Sequence, residues 1–444
     1  MKKKLKPVRM SRGRTAPAII LLFTSLLQAD VTPEAQSVAA PPPREALTLE
    51  SALRIALQHN PELQAAHNRT DAAAGMALQS GLWENPSLNL NAEEWPVSDG
   101  NGINDAKQTI GITQTVPFPG KRGVEQKIGN AGLQQTEIAL ALRRRKLVRD
   151  ITRTYYQTLA AEQLVAVASN LVLVAESSAA YARERVIAGA AADQEQLRAE
   201  ISLEQAQAEL EGFHQQQITA RQLLAQIIGQ TAVADEIPVG KLPETTDLGL
   251  LDRAPETWLP EHPELITAET GQKQAELRLK RTRLEPYPDV TVGLAGGRLG
   301  DTGQSIIELG LSIPLPLIDT SKGRRQEAAA NVRVAEAERL AAEIRLVTEW
   351  RSACARFSTA ARQVDAYRDR ILPKASEALR LVRTGFEEGK FGFIDLLDTQ
   401  RTAAEVRLAY QNRLLELSLA RADLEYFVGP AVAPHTPTSP VSPY

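Results

Sequence analysis

A single cysteine, Cys354, rules out an intramolecular disulfide, so packing alone must hold this chain together. Its Ala-rich helical surroundings suit a small packing residue better than a nucleophile. Soft metal ligands are also scarce: of three methionines, only Met76 lies beyond residue 29. The histidines, His59, His67, His214, His262 and His435, show no ligand spacing such as two of them four apart on a helix, so no metal site is expected. There is no Gly-rich phosphate loop and no serine-elbow motif, so neither a cofactor nor an enzymatic activity is expected. The one dense basic run past the start, Arg143 to Lys146, falls inside a helical pattern as a solvated face, which argues against nucleic acid. Past residue 29, no apolar stretch reads as long enough to span a bilayer as a helix.

The N-terminus carries Lys2, Lys3, Lys4, Lys6, Arg9, Arg12 and Arg14, then an apolar run from Thr15 to Leu27 and a small residue at Ala29. That is the pattern of a secretory signal over residues 1–29, and its apolar core is too short for a membrane anchor. Removing it leaves 44 basic against 54 acidic groups, so the exported chain would be net acidic. No cysteine follows it that could carry a lipid anchor.

The chain is written twice. Asn60-Pro-Glu-Leu63 returns as His262-Pro-Glu-Leu265, Pro86 as Pro288, and Thr115-Val-Pro-Phe-Pro119 as Ser312-Ile-Pro-Leu-Pro316. Gly189 and Gly229 return as Gly389 and Gly429. A unit this long must hold several elements, and the expected product is a pseudo-symmetric protomer.

The divisions follow from that repeat. A Pro-rich linker covers 30–47, and the first repeat covers 48–230 with a bent helix from Thr48, a β-hairpin at 86–117 and a helical hairpin at 123–229. A proline-studded connector covers 231–261. The second repeat covers 262–429 with a helix, a β-hairpin at 288–314 and a helical hairpin at 322–428, and a Pro-, Ser- and Thr-rich tail covers 430–444. The strands are predicted from alternation, as in Leu88, Leu90 and Ala92 against Asn89 and Asn91, which gives each hairpin one apolar and one polar face. The long helical stretches are dense in Ala, Leu, Glu, Gln and Arg, with Pro373 their one proline, and a run of some 60 residues is roughly 90 Å long.

Four short strands cannot close a membrane barrel, whereas three chains sharing one would supply about 12, an even number of the bacterial kind. The apolar strand faces would then meet lipid and the polar faces line water. Trp83 and Trp95 flank the first strand as candidate membrane-interface aromatics.

The twofold repeat, Pro117-Phe-Pro-Gly-Lys-Arg122, Pro314-Leu-Pro-Leu-Ile-Asp319 and the turn Gly389-x-x-Gly392-x-x-Asp395-Leu-Leu-Asp398 together resemble TolC-like outer-membrane factors, from Thr48 to Gly429. The Pro117 to Arg122 run is most similar to the heavy-metal efflux branch, the CzcC- and CusC-like proteins, although this chain lacks the anchoring cysteine of that branch's lipoproteins. The resemblance implies an α+β, mostly α protein: a homotrimer with four membrane strands per protomer in a shared barrel of about 12 strands. Long antiparallel coiled-coil helices would form the periplasmic tunnel. It implies an outer-membrane exit duct of a tripartite efflux pump, meeting outer-membrane lipid, a periplasmic adaptor and an inner-membrane RND pump, with heavy-metal cations as cargo. A protein-secretion or multidrug duct is the alternative within the family, and a soluble periplasmic scaffold or adaptor the alternative outside it.

The same likeness marks the periplasmic entrance. Asp395 and Asp398, three apart on one helix face, match positions where such ducts carry acidic rings, although acidic residues at a helix start are also favoured by its dipole. Gly189, Gly385, Gly389 and Gly392 sit at the helical-hairpin tips, the expected adaptor contacts, where positive backbone angles would permit tight turns. Glu195 stands where the first repeat matches Asp395, and a Glu195–Lys390 tie between the tips is expected to help hold the gate shut.

Overall fold

The computed structural model describes residues 47–94, 106–246, 249, 251, 253–300 and 302–429. The expected signal segment 1–29, most of the expected linker 30–47, the expected tail 430–444 and Trp95 lie outside the described residues.

The chain opens with α1 (Leu49–His59), started by a reciprocal cap in which the Ser51 N–H donates to Thr48 Oγ1 at 3.2 Å and the Thr48 N–H to Ser51 Oγ at 2.8 Å. The expected bent helix is in fact two helices. Asn60 turns extended (φ −64°, ψ 121°) and becomes the N-cap of α2 (Pro61–Ser80), its Oδ1 accepting from the Glu62 and Leu63 N–H groups. Pro61, which has no N–H to lose, fits the first position of the new helix.

Strands β1 (Ser87–Glu93) and β2 (Lys107–Val116) lead into α3 (Lys121–Ile187), whose 67 residues make a rod of about 100 Å. Helix α4 (Asp193–Ile228) returns alongside it. The connector holds a 3₁₀ turn at Thr231–Asp235 and the short α5 (Pro255–Trp258), and the second repeat begins at α6 (Pro263–Arg283). Strands β3 (Val290–Arg298) and β4 (Ser305–Ser312) follow, then α7 (Lys322–Ala366), α8 (Leu372–Glu387) and α9 (Phe393–Val428). Between α7 and α8 the helix widens into a π turn at Tyr367–Ile371. Pro373 explains it: the ring cannot donate to the carbonyl four residues back and would collide with it, and the wider turn relieves both problems.

The two expected hairpins are one sheet. Its order is β1-β2-β3-β4, antiparallel throughout, and β2 joins β3 from Gln108↔Arg298 to Val116↔Val290. Glycines permit the close approach: a Cβ on Gly297 would collide with the Gln108 carbonyl, and one on Gly111 would sit 2.6 Å from the Ala295 Cβ.

The main core lies at the waist, where Ile151, Tyr155 and Leu159 of α3, Leu346, Trp350 and Phe357 of α7, and Leu414, Leu417 and Leu424 of α9 interlock at three- and four-residue spacing. Tyr155 ties the connector down, donating from its hydroxyl toward the Val239 carbonyl at 2.7 Å with the Leu47 carbonyl at 3.1 Å. Contrary to the reading that nothing past the leader could span a bilayer as a helix, α3 holds an 18-residue window apolar enough to do so, 39% of it buried. The helix packs on α4 and α9, so its apolar side has protein partners.

Candidate functional site: an inside-out sheet and the hairpin tips

Partners across an antiparallel register share a face. The pairs Leu88↔Ile112, Leu90↔Ile110, Ile112↔Leu294, Val292↔Leu311, Leu294↔Leu309 and Gly296↔Ile307 therefore gather the aliphatic side chains on one side. Nine aliphatic side chains on this side, from Leu88 and Leu90 across to Ile307, Leu309 and Leu311, are between 46% and 83% exposed. The opposite side carries Asn89, Asn91, Thr109, Thr113, Thr115, Thr291 and several glycines. Along β2 the burial runs backwards for a protein in water: Ile110 and Ile112 are open, while Thr109 and Gly111 are enclosed. The polar face satisfies itself, with Asn89 Nδ2 donating to Thr113 Oγ1 at 3.0 Å and the Thr115 and Thr291 hydroxyls 3.1 Å apart.

The helix-side rim of the sheet is aromatic and charged. Trp83 stands half-exposed with the Arg122 guanidinium 5.0 Å over its ring. Phe118 and Tyr287 stack at 4.7 Å, a pair that alternation could not reveal because both lie outside the strands. Beneath them Asp289 Oδ1 accepts from the Phe118 N–H at 2.7 Å and from the buried Lys121 ammonium at 2.8 Å, pinning the exit of β2 to the start of β3.

At the far end the two helical hairpins pack tip to tip through Ala179, Ala182, Ala199, Phe393 and Leu396. Tyr181, Phe386 and Phe393 form a knot with centroids 5.6 to 6.4 Å apart, and the Arg185 guanidinium sits 5.9 Å from the Phe386 centroid. No sequence motif marks these four residues. Tyr181 precedes the Gly189 turn by two helical turns, and Phe386 and Phe393 bracket the Gly389 turn, so aromatic residues flanking matched glycines are the available signal.

Asp395 and Asp398 are both exposed on the face of α9 opposite Phe393 and Leu396. Each also has a local partner: Asp395 Oδ2 accepts from the Gly392 N–H at 3.0 Å, and Asp398 Oδ1 from Arg401 Nη2 at 2.9 Å. The expected Glu195–Lys390 tie is not made within the chain. Glu195 is held by Arg185 at 3.1 Å, which also donates to the Ala190 carbonyl across the turn, and Lys390 turns to Glu388. In both cases the partner nearer along the chain wins.

The four tip glycines do different work. Gly189 (φ +69°) and Gly389 (φ +74°) hold the left-handed conformation expected of a tight turn. Gly385 is helical and is needed because Phe391 lies where its Cβ would be, and Gly392 has φ −76° and serves as the N-cap of α9. Positive backbone angles thus account for two of the four.

The repeat also hides an asymmetry at the waist. Asn60 Nδ2 donates to the Ile227 carbonyl at 2.7 Å. Its counterpart His262 is fully buried, accepts the Glu264 N–H at Nδ1, and leaves Nε2 without a partner, because the matching carbonyl of Phe427 takes Arg145 Nη2 at 2.9 Å. Burial, reinforced by the positive charges of Arg145, Lys146 and Arg345, pushes the imidazole down to about 4. Among the described residues, no three His, Cys, Asp or Glu side chains gather to hold a metal.

A model of the outer membrane efflux protein family matches residues 52–230 and 254–429, the two repeats. The chain belongs to that family. Over 401 residues it is 27% identical to the cobalt-zinc-cadmium resistance protein CzcC of Cupriavidus metallidurans, covering 87% of this chain and 92% of CzcC. It is 27% identical over 334 residues to the nickel-cobalt-cadmium resistance protein NccC of Alcaligenes xylosoxydans xylosoxydans, covering 73% and 71% of the two chains. In fold it matches the CmeC outer membrane channel of Campylobacter jejuni with a TM-score of 0.74, at 16% identity and coverage of 86% and 85%. The protein is therefore an outer membrane efflux channel of TolC-like fold, in a non-enzymatic family, and its curated relatives include heavy-metal resistance factors.

Proposed function

We propose that three copies of the chain close their sheets into one barrel in the outer membrane and their helices into a tunnel across the periplasm. The observation that carries this reading is the inverted burial of the sheet, with aliphatic side chains outside and threonines and glycines within. Leaving nine aliphatic side chains in water forgoes on the order of 10 kcal/mol of burial, which lipid restores. Strands β1 and β4 end the sheet with one edge each unpaired, and lipid does not tolerate open edges. Pairing β4 of one copy with β1 of the next removes every edge, and three copies give a barrel of about 12 strands.

In this reading the duct is passive. The hairpin tips meet a periplasmic adaptor, an inner-membrane RND-type pump supplies the driving force, and the likeness to CzcC and NccC supports heavy-metal cations as cargo. Asp395 and Asp398 would repeat around the threefold axis as an acidic entrance, with Arg185 and Glu195 bracing each first tip. Gly189 and Gly389 would shape the turns that the adaptor touches, and Trp83 would mark the periplasmic side of the membrane interface.

The test is the mass, by light scattering, of the particle that a neutral detergent extracts from the outer-membrane fraction. A trimer is expected; a monomer, or protein released without detergent, overturns the shared barrel. The cargo is tested separately, by the sensitivity of a deletion strain to zinc, cobalt and cadmium.

A further inference from the structure

The polar face of the sheet carries charge at only three of its described positions: Glu93, Lys107 and Glu308. Glu93 and Lys107 are direct cross-strand partners, with Lys107 Nζ 3.7 Å from Glu93 Oε2. Lys107 also pairs with Glu308 on β4, reaching across β3, where this face presents only Ala295 and Gly297. A methyl group and a hydrogen leave that path open. The Lys107 side chain is mostly covered, at 19% exposure, while the Glu93 and Glu308 side chains stand 58% and 39% open. Glu93 and Glu308 share one ammonium and Glu94, just past β1, also acts on it, so negative charge is in excess at this level of each chain.

We propose that this triad sets the charge selectivity of the duct near its outer mouth, favouring cations over anions. The inference rests on the shared-barrel reading, which turns the polar face inward and repeats the triad around the threefold axis. The triad lies toward the end of the strands away from the helices, beside the β1–β2 and β3–β4 connections. Lys107 acts as a positioning residue: it offsets part of the local negative charge and holds Glu93 and Glu308 at one height. Within a wall otherwise of Thr, Asn, Ser, Gly, Ala295 and Ile306, a ring of excess negative charge biases the local ion concentration without stripping hydration shells.

The two signs of the triad allow a test in opposite directions. Full-length protein is placed in a planar lipid bilayer under a tenfold potassium chloride gradient, and the reversal potential is read for wild type, Glu308→Gln and Lys107→Gln. All three are also made in a Phe386→Ala background, an uncharged change that loosens the tips. Wild type is expected to be cation-selective. Glu308→Gln removes one carboxylate and leaves Glu93 and Glu94 against Lys107, so it should lose about half of the wild-type reversal potential, whereas Lys107→Gln should increase it. Extracted mass and unit conductance show that each variant assembles. Pores with the same reversal potential in all three overturn the selectivity inference alone. No pores from wild type in either background overturn the duct reading itself.

Discussion

His262 makes the second repeat sensitive to acid in a way the first is not. The imidazole is fully buried and titrates near 4, against 6.5 for the free group. As pH falls below 6.5 the unfolded chain takes up this proton and the folded chain does not, so stability falls through the window from 6.5 to 4 and is complete above it. The loss by pH 4 is about 3 kcal/mol per chain. Other groups titrate in the same range, so the perturbation that isolates this one is His262→Asn, which writes the residue of the first repeat, Asn60, into the second. The smaller side chain gives up contacts with Trp258, Tyr426 and Phe427, an expected loss of about 1 to 2 kcal/mol at pH 7.5.

Because the variant no longer carries the titrating group, its stability should fall less between pH 7.5 and 4, and the two curves should cross. The assay is denaturant unfolding in neutral detergent at fixed ionic strength, followed by tryptophan fluorescence. Trp258 sits 5.8 Å from His262 and 6.0 Å from Trp350, so the signal arises beside the substitution. Curves that stay parallel across this range would refute the assignment.

Two further expectations concern the junction and the sheet. Lys121→Met leaves the partly exposed Asp289 without its buried cation and should destabilise the protein by about 1 to 2 kcal/mol in denaturant unfolding, with Asp289→Asn added to it recovering part of the loss. Gly297→Val drives a side chain into the Gln108 carbonyl and should part β2 from β3, read as a fall in the trimer fraction extracted from membranes; an unchanged fraction would mean that the close approach is not needed for assembly.

The long helices were legible because helix formers at this density, with Pro373 the one interruption, leave the backbone little alternative. The strands were legible because alternation is a local property, but joining the hairpins was not: the pairing of Ile112 with Leu294 links residues 182 apart in the chain and depends on glycines such as Gly297 admitting a neighbouring backbone. The break at Asn60 could have been read from a capping residue followed by proline, whereas the π turn before Pro373 depends on how the helix relieves one missing hydrogen bond. At the tips, the matched glycines of the two repeats could be placed at the turns from sequence, but the partners of the nearby carboxylates could not. Exposed Glu and Lys side chains have many reachable counterions, each pair worth under about 1 kcal/mol, so local reach decided between Arg185 and Lys390.

The order of strands is also the order of helices. Strands run β1-β2-β3-β4, and the helices joined to them pack in the matching order, α2 on α3, α3 on α6 and α6 on α7. Each strand therefore continues into a helix beside the same neighbours, and a wall of sheet becomes a wall of helix without any crossing. The Asp289 bridge to Phe118 and Lys121 lies at the centre of that transition, where β2 leaves for α3 and α6 arrives at β3. The protomer is thus a slice of wall whose outermost members, β1 with α2 and β4 with α7, are its two lateral edges. In the proposed trimer, a next copy that pairs its β1 with β4 would bring α2 beside α7 by the same motion, so closing the barrel would also close the upper tunnel.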